Sequence, residues 1–371
     1  MNNWKYKRLS ECSNFVSERT SNIAIDNYIS TENMIENRGG VKEAAALPDV
    51  KSTSAYKPND ILLSNIRPYF CKIWFADKKG SCSNDVLVVR AKKEVDPKFL
   101  YYVLSDQNFF NWDSMTSKGT KMPRGTPNAI MKYSVPDIPF HTQEKIASIL
   151  SAYDNLIQNY KKQIEALQTA ASELYKEWFV RFRFPRYQTT KFENGIPKGW
   201  KVEKLGTLAN ISTGKCNRED AEEDGIYPLF DRSQEIKKSN EWIKDCEAII
   251  VPGEGTSFIP RYYKGKFNLH QRCYCVEPKY PNFGKFLFYV LMLNRKYFLS
   301  VATGATVPSL RYNNFASMKF VLPEMSLCNN FNKITDDIFA KVDNLQQQIT
   351  NLTQQRDLLL PRLMSGKLEV E

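Results

Sequence analysis

The 371-residue chain has only two histidines, His141 and His270, and none of its eight cysteines forms a CxxC pair. A structural zinc site needs about four nitrogen or sulfur ligands at short spacings, so no zinc framework is present. Cys12, Cys71, Cys82, Cys216, Cys246, Cys273, Cys275 and Cys328 stand singly. They read as reduced thiols of a cytoplasmic protein, because a chain of this length needs no disulfides for stability. Long apolar runs are missing too. The longest, Phe286 to Leu293, falls far short of the ~20 residues that cross a bilayer, and the opening MNNWKYKRLS has no apolar signal core. No membrane association or export is expected. The stretches ISTGKC (211–216) and SGKL (365–368) lack the GxxxxGK[ST] spacing that cradles phosphates, and GxGxxG is absent. There is no Asn-Pro-Pro-aromatic tetrapeptide of the kind that holds a flipped base for methyl transfer. A loose nuclease-like pattern, Pro48-Asp49 followed by Asp77-Lys78-Lys79, is too spread out to carry weight. The chain is therefore expected to be no enzyme, with no catalytic residue, metal ligand or cofactor of its own.

What is present is enough for two domains. Hydrophobic residues make up 42% of the chain, charged residues 25% and aromatic residues 13%, a composition that buries a sizeable core. The formal net charge is +11, and its placement is more informative than its size. Residues 1–140 and 197–324 each carry +5, whereas 141–196 carries +2 and 325–371 carries −1. Two equally basic bodies joined by nearly neutral segments suggest two contacts with one polyanion.

Those bodies are repeats. Trp4-Lys5 with Leu9 recurs as Trp200-Lys201 with Leu205, and KFLYYVL at 98–104 recurs as KFLFYVL at 285–291. Gly119-Thr120-Lys121-Met122-Pro123 matches Gly304-Ala305-Thr306-Val307-Pro308, and Met131-Lys132-Tyr133 matches Met318-Lys319-Phe320. A period near half the chain is too long for a solenoid and fits a duplicated domain. Short runs at 61–63, 86–89, 248–251 and 273–276, β-branched or aromatic and flanked by turn residues, read as strands. The KFL(Y/F)YVL segments read as helices.

After each body comes a heptad pattern. Ile146, Tyr153, Tyr160, Leu167 and Leu174 stand seven apart, with Leu156 among the intermediate positions, predicting one helix over about 141–180. Phe331, Ile338, Leu345, Leu352 and Leu359 repeat the spacing, joined by Ile334, until Pro361 and Gly366 end the run. At 1.5 Å per residue the helices span roughly 50–60 Å and 45–50 Å. The simplest partner for each stripe is the other, although each could instead pack on its own domain. The expected fold is α+β: two tandem pseudo-repeat domains of mixed α/β structure, separated by two long helices in an intramolecular antiparallel coiled coil. The segments are a first domain at 1–140, a helix and linker at 141–193, a second domain at 194–324 and a helix and tail at 325–371.

Cations, planar donors and aromatics cluster in loop-forming stretches. In the first domain they are Asn65, Arg67 and Tyr69, then Lys118, Lys121 and Arg124; in the second, Lys215, then Arg261, Tyr262, Tyr263, Lys264 and Lys266, then Gln271 and Arg272. Lysines suit phosphates, whereas Arg, Asn and Gln can pair bidentately with base edges. These residues are the candidate DNA contacts.

Together these features resemble the specificity subunit of type I restriction-modification systems over essentially the whole chain. The run AASELYKEWFVRFRFP (170–185) leading into NGIPKGWKVEKLGTLANISTGK (194–215) is similar to that family's central region. LLLPRLMSGKLEV (358–370) is similar to its distal end, and IPFHTQEKIASILSAYDNLI (138–157) to the helix start after its first domain. The resemblance implies two target recognition domains that read the halves of a split, asymmetric sequence in double-stranded DNA, with the helices setting the gap. It also implies two methylation subunits, using S-adenosylmethionine, and two ATP- and Mg²⁺-dependent restriction subunits as partners. Trp178, Phe179, Phe182 and Phe184 are too aromatic for a solvent-facing linker; they either dock a partner subunit or pack at the end of the coiled coil. The competing functional reading is a DNA-binding or coiled-coil adaptor that organises partners without reading bases.

Overall fold

The computed structural model describes residues 4–368 and 370. The chain forms two compact units, one made of Met1–Lys161 with Gln347–Glu371 and the other of Lys162–Gln346. This division differs from the four sequence segments, because each long helix shares its residues between the units.

In the first unit the strands that the repeat uses are β1 (Lys5–Arg8), β2 (Ser13–Phe15), β3 (Ile61–Ser64), β4 (Ile73–Phe75), β5 (Val86–Ala91) and β6 (Ser134–Asp137), beside which shorter strands between residues 19 and 82 form a second four-stranded sheet and a two-stranded pair. A four-stranded antiparallel sheet runs β2-β5-β3-β4, and β1 pairs with β6 from Lys5↔Asp137 to Arg8↔Ser134. All four β3 residues are buried, and the first three, Ile61 to Leu63, are the continuous apolar run expected of a covered strand. Helix α1 (Pro97–Ser105) starts where Asp96 accepts the Phe99 amide at 2.7 Å, with Pro97 in the first turn. Its residues Phe99, Leu100 and Val103 share a core with Ile61, Leu63 and Val89 of the sheet. Helix α2 (Gln107–Thr116) follows, and the first 22 residues of α3 (Phe140–Tyr175) complete the unit with residues 347–364.

The second unit repeats the plan. After a short antiparallel pair, Phe192–Glu193 with Ile196–Pro197, its strands are β7 (Lys201–Lys204), β8 (Ala209–Thr213), β9 (Tyr227–Phe230), β10 (Lys237–Ser239), β11 (Lys244–Pro252), β12 (Arg261–Leu269), β13 (Cys273–Pro278) and β14 (Lys319–Leu322). The sheet order β8-β13-β11-β12-β9-β10 reproduces the first sheet in its first four places, and β7 pairs with β14 as β1 does with β6. Helices α4 (Gly284–Leu293) and α5 (Arg295–Val301) stand where α1 and α2 do, and α6 (Met325–Met364) follows β14 as α3 follows β6. The internal repeat is thus structural as well as sequential.

The long helices pair antiparallel. In the first unit Arg356 bonds Asp154 at 2.6 Å, while Leu360 and Leu363 join Ile146, Ala147 and Leu150 in one core. In the second unit the Tyr175 and Phe331 rings meet at 6.0 Å. Positions therefore run in opposite directions along the two helices. Ile146, Phe331 and Leu345 are buried, and Tyr153, Tyr160, Leu167, Leu174, Ile338, Leu352 and Leu359 are half-buried. Each helix also enters its own unit's core, so both packings left open by the heptads occur together. Two details of the heptad reading are corrected. Leu156 and Ile334 are exposed by 40% and 46%, respectively, and so lie outside the buried stripe. Pro361 does not stop α6 but sits in its last turn, where the missing amide costs a single helical bond, and the helix ends before Gly366 at φ +70°. The start of α6 at Met325 coincides with the start of the last sequence segment.

Among the described residues no helix is long and apolar enough to cross a membrane, and no three His, Cys, Asp or Glu side chains stand together to hold a metal ion.

Candidate nucleic-acid interface

Two stretches of the first unit that are far apart in sequence meet at one surface. Lys118 and Arg124 exchange backbone bonds, 2.9 Å each way, closing a loop in which Gly119 takes φ +95°. Only a residue without Cβ adopts that conformation cheaply. The Arg67 amide donates to Pro123 at 2.8 Å and the Gly125 amide to Asn65 at 3.1 Å, which ties the loop to residues 65–67. Arg67 is itself left-handed, at φ 50°, and starts a single 3-10 turn over Pro68–Phe70. The frame presents Lys118, Lys121, Arg124 and Tyr69 to solvent. Arg124 pairs with Asp85 at 3.1 Å across the surface. Arg67 is half-buried with its guanidinium 5.8 Å from the Phe70 ring, and the Asn65 amide oxygen is buried without a partner. Asn65 therefore faces inward, and the solvent-facing cations are those of the loop.

The second unit builds the same frame from different side chains. Thr303 and Ser309 exchange backbone bonds of 2.9 and 2.7 Å around Gly304, whose φ is +116°. The Gly255 amide donates to Pro308 and the Leu310 amide to Gly253. This loop, TGATVPS, has no cation. Charge comes instead from Arg232 and Arg272, whose Nη1 atoms donate to the two carboxylate oxygens of Glu254 at 2.7 and 2.6 Å. The adjoining turn brings Gln271 onto Asn217 at 2.6 Å, beside exposed Lys215. Lys215, Gln271 and Arg272 therefore share one surface.

The comparisons with known proteins agree with this duplicated architecture. The family described as type I restriction modification DNA specificity domain matches residues 1–169 and 197–357. The chain belongs to that family. Among its relatives, the MjaIX specificity subunit of Methanocaldococcus jannaschii is 26% identical over 76% of this chain and 71% of its own. The HindI specificity subunit of Haemophilus influenzae is 22% identical over 99% of this chain and its own full length. The EcoDI specificity subunit of Escherichia coli is 31% identical over a shorter region, 47% of this chain and 40% of its own. The fold is that of a type I system S subunit from M. genitalium, with a TM-score of 0.61 and 18% identity, covering 100% of this chain and 97% of that one.

Within this specificity fold several sequence candidates make contacts inside the protein. The Arg261 guanidinium is turned inward, donating to the Asp231 and Ser233 carbonyls beside the Phe230 ring, where burial lowers its pKa. Arg261 is thus a half-buried strut whose guanidinium is taken up by main-chain carbonyls. Tyr262 donates to Glu247 at 2.6 Å and packs edge-on against Phe339, and Tyr263 packs against Phe230 and Phe267. Lys264 and Lys266 are exposed, with Lys266 stacked 4.7 Å above Trp242. They lie within β12, at least four residues from the Gln271 turn, a separation of about 13 Å along a strand.

The aromatic run offered for docking is also interior. Trp178, Phe179 and Phe184 belong to the second unit's core, and Phe182 packs edge-on against Phe192 and Trp200. The run is folded inward by a π-turn over Lys176–Val180, in which the Arg181 amide donates to the Lys176 carbonyl at 2.8 Å. Packing at the helix end is what the structure uses. Sequence reasoning missed Arg232 and Glu254, because the contact joins segments 22 residues apart across a sheet. The one available signal was the repeat, which places Glu254 beside the loop at the position of Ile66.

Proposed function

We propose that this DNA sequence-recognition subunit reads a two-part target, one half through each unit, within a type I restriction-modification complex. The observation that carries this is one backbone frame occurring twice with different side chains. In the first unit the frame exposes Lys118, Lys121 and Arg124; in the second, Arg232 and Arg272 stand beside an uncharged loop. Identical scaffolds with unlike surfaces suit two unlike half-sites, since sequence is read by the side chains that reach base edges, while contacts to phosphates only position the protein.

In this reading the chemistry belongs to partner subunits. Methylation subunits, of which the internal repeat offers two quasi-equivalent seats, supply S-adenosylmethionine-dependent adenine methylation, and two restriction subunits supply ATP- and Mg²⁺-dependent cleavage. The paired helices set the unspecified gap between half-sites. The complex works in the cytoplasm, where eight unpaired thiols are at home.

Co-expression with its methylation subunit, followed by single-molecule mapping of methylated adenines across the host genome, tests the reading. One two-part motif with a fixed gap is expected. A stable complex without site-specific methylation would overturn it and favour an adaptor whose DNA binding falls with salt and ignores sequence.

A further inference from the structure

The second unit's uncharged loop leaves its base preference to be set by other groups, and the Arg232–Glu254–Arg272 cluster is placed to do so. The side chain of Glu254 is 14% exposed, those of Arg232 and Arg272 are 47% and 55% exposed, and each guanidinium spends one Nη1 on the carboxylate. Of the five N–H donors on an arginine, those left over lie in one plane that the ion pair orients, on side chains about half exposed to solvent.

Every backbone segment of the cluster is pinned. The Gly253 amide donates to the Arg272 carbonyl at 2.8 Å, and the Arg272 amide donates to His270 Nδ1 at 3.0 Å. Gly255 bonds the 303–309 loop, and Arg261 holds the Asp231 and Ser233 carbonyls on either side of Arg232. A cleft of about 270 Å³ opens between Arg232, Glu254, His270 and Val307. No Cβ fills its mouth at Gly255, where φ is +123°.

The repeat supplies an internal comparison. Arg272 immediately precedes β13 as Asp85 immediately precedes β5, and Ser309 closes the loop as Arg124 does. In the first unit the cation is on the loop and the acid before the strand; in the second, the cation is before the strand and the loop is neutral. The position from which a guanidinium projects has therefore changed between the units, while the frame has not.

We propose that Arg232 and Arg272, held as a fork by Glu254, read guanine in the second half of the target through its O6 and N7 acceptors. The proposal rests on the two-part reading above. Planar forks fixed by a carboxylate match those paired acceptors, whereas a phosphate contact requires no such alignment. Glu254 is then a positioning residue that acts through the arginines.

The test maps methylated adenines in cells carrying the subunit with its methylation partner, comparing the unsubstituted chain with R232A, R272A, R272K and E254Q. The unsubstituted chain is expected to give a motif with a G·C pair in its second half. R272A and R272K are expected to lose roughly 5-fold or more of the discrimination at one base of that half, with the first half unchanged. E254Q is expected to relax the same base. Copurification with the methylation subunit establishes that each variant assembles; if R272A does not assemble, R272K and E254Q decide. An unchanged motif with methylation lowered at all sites would assign the fork to phosphates and overturn the proposal, as would a second half lacking guanine. If the unsubstituted chain yields no two-part motif, the two-part reading itself fails, and the proposal with it.

Discussion

Asp113 in α2 is fully buried, neither of its carboxylate oxygens has a hydrogen-bond partner, and burial pushes its pKa up to about 7. Directly above it Gly125 leaves a space in which any Cβ would collide with the Asp113 carboxyl and stand 2.9 Å from the Asn65 amide oxygen. The equivalent place in the second unit is filled by Phe298 and Leu310, both buried. A carboxylate is thus not required by the frame at this point. Because its folded pKa lies above the ordinary value of 3.8, the native state holds the proton more tightly than the unfolded chain. Stability is full below about pH 4, declines as pH rises, and by about pH 7 has lost on the order of 2–4 kcal/mol. D113N is neutral at every pH. The difference in melting midpoint between D113N and the unsubstituted chain should therefore grow in favour of D113N from pH 5 to pH 8, and parallel curves would refute the burial account. At this scale the sequence was legible only in part. Lys118, Lys121 and Arg124 are exposed as a Gly-containing cationic loop suggests, but Arg261 and Tyr262 look identical in type to DNA contacts and face inward. Side-chain direction on a strand depends on register, which adjacent residue types do not reveal.

At the scale of elements, the helices were legible because each heptad stripe runs through five positions, four steps of seven, a spacing that strands do not produce. Strands at 61–64, 86–91, 244–252 and 273–278 were legible from short β-branched runs. What could not be read was how the helices are fastened, since this depends on contacts between elements far apart in the chain. In the first unit Asp154 of α3 accepts from Arg356 of α6 and from the Tyr102 hydroxyl of α1, each at 2.6 Å. In the second unit the equivalent positions are aromatic or small: Phe339, Ala171 and Tyr289, with Tyr289 stacked 5.3 Å from Tyr175. One junction is therefore polar and the other apolar. Removing one member of a partly buried ion pair leaves the other short of its partner, so R356A should cost about 1–3 kcal/mol in chemical denaturation. The double variant D154F/R356A, which installs the other junction's residues, should recover part of that loss because no orphaned carboxylate remains. A full R356A cost retained in the double variant would show that packing, not the orphaned charge, is responsible.

On the whole-molecule scale, the two units share a scaffold but anchor charge differently, and salt dependence should separate them. Lys118 and Lys121 project from the first unit's loop without an ion-pair partner among the described residues. Arg232 and Arg272 are instead clamped to Glu254. An ammonium is a strongly hydrated point charge suited to phosphate, and each phosphate neutralised contributes about 0.9 to the slope of log K against log salt. K118A/K121A in the assembled complex should therefore weaken binding to cognate and random duplexes alike, and lower that slope by about 2. Its methylation motif should stay the same. R272A should behave oppositely, relaxing one base while changing the slope by less than 1, because its charge is partly neutralised by Glu254. Titrations at several salt concentrations on both duplexes distinguish these outcomes. An unchanged slope in K118A/K121A would remove the loop lysines from the DNA backbone and leave the first unit's basic charge serving another surface.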